Sequence, residues 1–472
     1  MPIPAEKAAG AASAELYQRL IAAVGERNVL VDAEDLEPFC GDLLGIYRGL
    51  PRCVVRPATT AEAAAVLAAC AYAGVAVVPC GGNTGFAGGA IADASGSQVV
   101  VSLVRMNRIR AIDTVGNSIT LDAGCVLATA REHAATHGRL LPLSHGGEGS
   151  SQIGGNLATN AGGLNVLRYG MARNLVLGLE VVLADGRVLD MMRELRKDNT
   201  GYSLTQLFVG SEGTLGLITG VVLKLYPLPV LHETALVALS DPRAALALLT
   251  RARANLGESI DAFELVPEAG MDLVREFDPA APEFFATRHR WYALIECEGA
   301  GLTGFLEVAL AEGRLVDAVS AQSERERRAL WRMREQLAMA QVADRSNLKN
   351  DTSVPISAIP DFIVCAGDAV SNVVPGVRTI PFGHVGDGNI HFNLARPLAM
   401  APADFISRWP ELTAAVERVA VALGGSISAE HGIGVSKRAA LVRARSGVEL
   451  DMMRALKRAL DPRNLMNPGK LL

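Results

Sequence analysis

The chain contains no Cys-x-x-Cys pair and no regular cysteine spacing. Its seven cysteines, Cys40, Cys53, Cys70, Cys80, Cys125, Cys297 and Cys365, are scattered through 472 residues. Such an odd, irregular set excludes a disulfide framework and reads as reduced thiols, so a cytoplasmic location is expected. Excess positive charge is also missing. The 45 Lys and Arg face 50 Asp and Glu, a net charge of −5, which leaves a nucleic-acid partner without electrostatic support. The N-terminal stretch is Ala-rich and amphipathic but has no apolar signal core and no arginine enrichment, so no targeting peptide is expected. Residues 63–80 form an uncharged, largely apolar run that raises the question of a membrane span. Thr59 and Glu62 make a capping-box pattern before it, Gly74 sits where a helix should stop, and residues 75–78 read as a short buried strand. Helix, turn and strand account for the run better than a membrane span does. There is no internal repeat, low-complexity tail or long linker.

What is present fits a well-packed chain of two or more domains: 50% of residues are apolar and 20% charged. Residues 1–50 read as a helical entry segment, with helical periodicity over 12–24. From residue 51 the pattern becomes strand, helix, strand (53–57, the capped helix, 75–79), an α/β unit. Strands continue at 99–103 and 118–124, and a hairpin turns on Asp185 and Gly186. The Pro-rich stretch 226–230 marks a boundary, so one domain is expected over 51–228. Residues 229–420 mix strands with longer charged helices, the clearest over 323–345. Residues 421–472 form a C-terminal segment with a helix over 448–460.

Glycine is concentrated in three loops. The first follows a strand and runs Pro79-Cys80-Gly81-Gly82-Asn83-Thr84-Gly85, then Gly88 and Gly89. The second contains Ser151, Gly154, Gly155, Asn156, Thr159, Asn160, Gly162 and Gly163. The third contains Gly210, Glu212, Gly213, Gly216 and Ile218. Glycine lets backbone N–H groups converge on an anion without Cβ interference. None of the loops is a G-x-G-x-x-G run with a following acidic partner or a Walker A run, which disfavours a Rossmann nucleotide site and a P-loop.

Two clusters near the C-terminal end hold three of the eight histidines. One is His384-Val-Gly-Asp-Gly-Asn-Ile-His391-Phe-Asn393; the other is Glu430-His431-Gly-Ile-Gly. His391 and Asn393 are two apart in an apparent strand and so share a face. The turn after His384 can fold the second imidazole back, and Glu430 can supply a third ligand. Three protein ligands leave open positions, the mark of a catalytic rather than a structural metal site.

These residues carry a resemblance. The first and second loops, with Arg168-Tyr-Gly after the second, and the third loop resemble the flavin loops of the FAD-binding fold of the vanillyl-alcohol oxidase/p-cresol methylhydroxylase superfamily. The two histidine clusters resemble the D-2-hydroxy acid dehydrogenases within it, the D-2-hydroxyglutarate dehydrogenase branch in particular. The resemblance covers residue 50 to the end, with all five motifs in order.

It implies an α+β fold: a two-subdomain FAD-binding domain over 51–228, an α+β substrate domain over 229–420, and a C-terminal segment that returns to the flavin domain and completes the active site. It implies FAD on the three loops and Asn467. The binding is expected to be non-covalent, because the first loop lacks the histidine that tethers FAD in some members and nothing marks His145 as a tether. Cys80 reads as a loop-filling residue rather than a catalytic thiol. By the same resemblance His384, His391 and Glu430 bind Zn2+, or another divalent metal such as Mn2+. His431 is the base that takes the substrate's hydroxyl proton, and the C2 hydride passes to the flavin. Arg334, Lys349 and Asn393 hold the substrate.

The expected reaction is oxidation of D-2-hydroxyglutarate to 2-oxoglutarate. One departure matters: the branch usually has Thr one turn after the Arg, where this chain has Ala338. That keeps D-lactate, D-malate or another D-2-hydroxy acid as alternative substrates. A non-redox flavin-dependent transferase on the same fold, or a flavin-binding subunit without activity, is a further alternative, disfavoured by the intact metal and base residues. Electron-transfer flavoprotein or a quinone would accept the electrons. No membrane span is expected, and a homodimer is left open.

Overall fold

Residues 58–80 show how local sequence sets the first layer. Thr59 Oγ1 accepts from the N–H of Glu62 at 3.1 Å, opening the helix Thr60–Ala73. The Glu62 carboxylate reaches back one residue further than a capping box requires, accepting from Ala58 N–H at 2.8 Å. Gly74 ends the helix in the left-handed region, φ 66°. The strand Val77–Cys80 follows. The uncharged run is thus a helix and a strand. The structure, a computed structural model, describes residues 5–472 except 44 and 345, with side chains from residue 14 onward.

The chain divides into two units. The first comprises the described residues to Gly163, then Met171–Leu228 and Glu430–Leu472. Four strands form one of its sheets, in the order Val29–Leu30, Cys53–Val55, Val99–Ser102, Val77–Cys80. The last three of these run parallel, and their valines are buried. A five-stranded antiparallel sheet has the order Ile109–Asp113, Ser118–Asp122, Leu217–Lys224, Val176–Val182, Val188–Met191. Its last two strands are the hairpin expected around Asp185 and Gly186. The C-terminal segment is tied into this unit by backbone bonds from Val77 N–H to Leu465 C=O and from Asn467 N–H to Val77 C=O, both 2.7 Å. The Lys457 ammonium donates to the carbonyls of Thr214 and Met466.

The second unit comprises Leu164–Gly170 and Pro229–Ala429. The short insertion belongs here because Arg168 pairs with Asp261 and Glu298. Residues 421–429, expected in the C-terminal segment, also belong here. Ser426 bridges Ser353, and Ala429 N–H donates to Asp351. A seven-stranded sheet organises the unit, in the order Asp317–Ser320, His232–Leu239, Trp291–Glu298, Ile260–Pro267, Arg378–His384, Asn389–Ala395, Asp351–Ser353. Every neighbouring pair is antiparallel. One face packs on Leu330, Met333 and Leu337 of the helix Glu324–Ala343, which opens on a Ser323 cap. The other face carries the larger core, including Phe362 and Phe392 in an edge-to-face pair. Among the described residues one helical window, Ile356–Val373, is long and apolar enough to cross a membrane. Its Ile359, Phe362, Ala366 and Val370 are buried in that core.

Candidate active site

In the first unit the three glycine loops meet around one cleft of about 990 Å³, counting its open mouth. All of the expected first-loop residues line it, from Pro79 through Gly85 with Gly88 and Gly89. So do Gly154, Gly155, Asn156, Thr159, Glu212, Gly213, Gly216 and Ile218. The lining glycines divide into two kinds. A Cβ at Gly82 would lie 2.0 Å from Ser150 C=O, so glycine there lets two loops touch; a Cβ at Gly155 would meet nothing within 4 Å, so its bare backbone faces open space.

Ser151, Asn160, Gly162, Gly163, Gly210 and Asn467 do not line the cleft. Several of them build its walls instead. Asn160, at φ 51°, accepts from Arg173 N–H at 2.9 Å. The Asn467 amide donates to the carbonyls of Gly89 and Glu212, at 2.9 and 2.8 Å, joining the first and third loops. Glu212 lines the cleft, but its carboxylate is taken up by the C-terminal segment, accepting from the N–H groups of Ile433 and Gly434 at 2.7 Å each. Burial pushes its pKa up against those bonds. That bracket fixes the loop carrying His431, which lies on the cleft wall edge-on to Phe86 with ring centroids 4.9 Å apart.

The donor chemistry fits a flavin dinucleotide. Among the described residues no Lys or Arg lines the cleft, so a pyrophosphate there would be held by backbone N–H groups and neutral side chains. Gln152 Oε1 and Asp42 Oδ2, on residues that line the cleft, are buried without a hydrogen-bond partner among the described residues. Such orphaned acceptors are open to donors from a ligand or from water. Cys80 is no nucleophile, since burial pushes its thiol up to about 12. His145 braces the second loop. Its Nδ1 accepts from Gly147 N–H at 3.1 Å and its Nε2 lies 3.2 Å from Asn156 Oδ1. Burial lowers its pKa below the ordinary histidine value.

The second unit gathers charged side chains on one sheet face. Register pairs Glu264 with His384, Phe382 with His391, and His391 with Asp351. Directly opposed residues on antiparallel strands share a face, and Asn393, two beyond His391, shares it too. The imidazole centroids of His384 and His391 are 5.5 Å apart. His384 Nδ1 lies 2.5 Å from Glu264 Oε1, and His391 Nδ1 lies 3.8 Å from Asp351 Oδ1. Each imidazole thus has a carboxylate behind it.

Arg334 arrives from the helix Glu324–Ala343 and donates from Nε to Glu264 Oε2 at 2.9 Å. Its guanidinium stands 4.7 Å over the Phe382 ring, and among the described residues its two terminal nitrogens make no hydrogen bond. Burial alone would raise the Glu264 carboxyl, but His384 and Arg334 outweigh it and bring it down to about 2. Asn393 Oδ1 accepts from Asn350 N–H at 2.9 Å, and its amide donates to Gln341. Lys349 is half-buried, and burial lowers its amine pKa. Burial also pushes Asp387, in the turn between the histidines, up to about 6. Ala429, held to Asp351, is followed directly by Glu430 and His431.

Sequence reading missed Asp42, Gln152, Glu264, Gln341 and Asp351. Glu264 left a signal, as a carboxylate inside the otherwise buried strand Ile260–Pro267. Gln341 left a weaker one, seven residues after Arg334 on one helix face.

Residues 51–192 match the family model described as FAD binding domain, and residues 228–471 match FAD linked oxidases, C-terminal domain. The chain is 39% identical over 459 residues to D-2-hydroxyglutarate dehydrogenase, mitochondrial, of Bos taurus, covering 94% of this chain and 81% of that protein. It is 36% identical over 456 residues to D-2-hydroxyglutarate dehydrogenase of Xanthomonas citri, covering 95% of each. Among solved structures, p-cresol methylhydroxylase with substrate bound aligns over 98% of this chain and 97% of that one, at a TM-score of 0.76 and 15% identity. That likeness concerns the fold alone.

Proposed function

The chain belongs to the FAD-binding D-2-hydroxy acid dehydrogenases of the vanillyl-alcohol oxidase/p-cresol methylhydroxylase superfamily, and from that premise we propose that it oxidises D-2-hydroxyglutarate to 2-oxoglutarate with non-covalent FAD and a divalent metal, zinc in the first place. The names of its relatives support the substrate. The observation that carries the reading is the charged row on the second unit's sheet face. There an arginine with free terminal nitrogens lies beside two carboxylate-backed imidazoles, which suits a small carboxylate-bearing hydroxy acid.

The metal is supported by the donor set. His384, His391 and Glu430 offer two imidazole nitrogens and a carboxylate oxygen, and with Nδ1 of His384 directed at Glu264, its Nε2 is the nitrogen suited to a cation. When bound, the metal supplies a Lewis acid for the hydroxyl oxygen and FAD supplies the hydride acceptor. Arg334, with Lys349 and Asn393, holds and orients the substrate carboxylates. His431 takes the hydroxyl proton on its imidazole, whose ordinary pKa of roughly 6.5 suits that role near neutrality. The electrons pass on to electron-transfer flavoprotein or a quinone.

Ala338 favours a second reading, a shorter D-2-hydroxy acid such as D-lactate or D-malate, because no hydroxyl is available there for a distal carboxylate. A panel of D- and L-2-hydroxy acids, assayed with zinc and an artificial acceptor and again with oxygen alone, tests both. Dye reduction by D- but not L-2-hydroxyglutarate, with little oxygen turnover, is expected. D-lactate as the preferred substrate would select the second reading, and failure with every acid would reject both.

A further inference from the structure

Glu264 and Glu296, both buried on the same face of the second unit's sheet, differ in what they touch. Glu296 accepts from Thr234 Oγ1 and Trp331 Nε1 at 2.6 Å each and from Arg327 at 3.0 Å. Trp331 and Arg327 come from the helix Glu324–Ala343 and Thr234 from the neighbouring strand, so Glu296 ties helix to sheet. Glu264, 1% exposed, gives one oxygen to His384 and the other to Arg334. We infer that Glu264 is a positioning residue that couples metal binding to substrate binding by fixing the proton of His384 on Nδ1 and the guanidinium of Arg334 edge-on. The inference rests on the roles proposed above for His384 and Arg334.

Carboxylate chemistry supplies the argument. An ionised carboxylate only accepts, so the imidazole facing Oε1 must carry its proton on Nδ1, and Nε2 is then the basic nitrogen. The same carboxylate takes Arg334 through Nε, which directs the two terminal nitrogens away from it, in the fork that grips a carboxylate bidentately. Glu264 sits in register with His384 on the neighbouring strand, so the contact is built into the sheet rather than into a mobile loop. In Glu264→Gln the amide presents one acceptor and one donor to two donors. If its N–H faces His384, the ring must accept on Nδ1 and move its proton to Nε2, the wrong nitrogen for a metal. If it faces Arg334, two donors oppose and the guanidinium turns.

The test compares Glu264→Gln with Glu296→Gln in the full FAD-loaded chain, measuring Zn2+ affinity by equilibrium dialysis, KM and kcat for D-2-hydroxyglutarate, and thermal midpoint. Glu264→Gln is expected to weaken Zn2+ binding by about 10- to 100-fold and to raise KM, with FAD content unchanged. Glu296→Gln should lower the thermal midpoint and leave Zn2+ affinity within about threefold of wild type. Unchanged Zn2+ affinity in Glu264→Gln, or an equal loss in both variants, would overturn the coupling and leave Glu264 a structural ion pair. Should Glu264→Gln not fold, nitrogen-15 NMR of the metal-free wild-type histidines decides: a proton on Nδ1 of His384 supports the inference, and a neutral ring protonated on Nε2 rejects it. Wild-type flavin reduction by D-2-hydroxyglutarate reports separately on the proposed function.

Discussion

The cleft of the first unit and the sheet face of the second recognise by different means. Glycine loops form much of the cleft, and among the described residues no Lys or Arg lines it, so backbone N–H groups and the absence of Cβ atoms carry much of its selectivity. On the sheet face Glu264, Asp351, His384, His391 and Arg334 stand together, and selectivity lies in charge and tautomer. The difference teaches where each region is fragile. The cleft is vulnerable to added volume, and the sheet face to a lost partner.

The largest effect should come from volume. Gly82→Ala places a Cβ against Ser150 C=O, in backbone that has no flexible end to move. This variant is expected to purify colourless, and absorbance with FAD extraction checks it. His431→Gln sharpens the comparison from the other side, since it removes a proton acceptor from the cleft wall without adding bulk. It should keep FAD and lose about 10²- to 10⁴-fold in kcat, read in steady-state assays; an unchanged kcat would remove His431 as the base.

Arg334→Met breaks the sheet-face cluster by leaving Glu264 with one partner. Breaking a buried pair typically costs about 3–5 kcal/mol. Urea unfolding of the second unit should shift accordingly, and KM should rise, while flavin content stays near wild type.

The smallest effect is a pH dependence of the cleft. His145 has its folded pKa lowered below its ordinary 6.5 by burial, so between the two values the unfolded chain binds the proton that the folded one refuses. Stability is therefore full above about 6.5 and declines as pH falls through the window down to the lowered value. FAD release measured from pH 8 to 5 should increase on the acid side, and His145→Gln should flatten the curve.

The cleft was largely legible in the sequence because its chemistry is local. A loop that must present bare backbone writes itself as glycine, and Gly81 to Gly89 follow a strand directly. The histidine pair was legible for a similar reason, since the two-residue period of the strand Asn389–Ala395 places His391 and Asn393 on one face. Glu264 was not, because its partners lie 70 and 120 residues away and only the order of strands brings them together. The same holds for Asp42, which precedes the first loop with no motif of its own, and for residues 421–429, held in the second unit by a bridge to Ser353. Glu212 and Asn467 were expected to touch the cofactor; Glu212 lines the cleft, and both also fasten the C-terminal segment, a role that needs the tertiary structure to be seen.

Anaerobic rapid mixing tests most directly whether the glycine-built cleft and the charged sheet face serve one reaction. FAD-loaded enzyme, zinc-loaded or stripped with a chelator, is mixed with D- or L-2-hydroxyglutarate while the flavin absorbance is followed. The account predicts fast bleaching only with the D-acid and the zinc-loaded enzyme, with readdition of zinc restoring it to the stripped protein. Equal bleaching of stripped and loaded enzyme, or bleaching by the L-acid at the same rate, would contradict it.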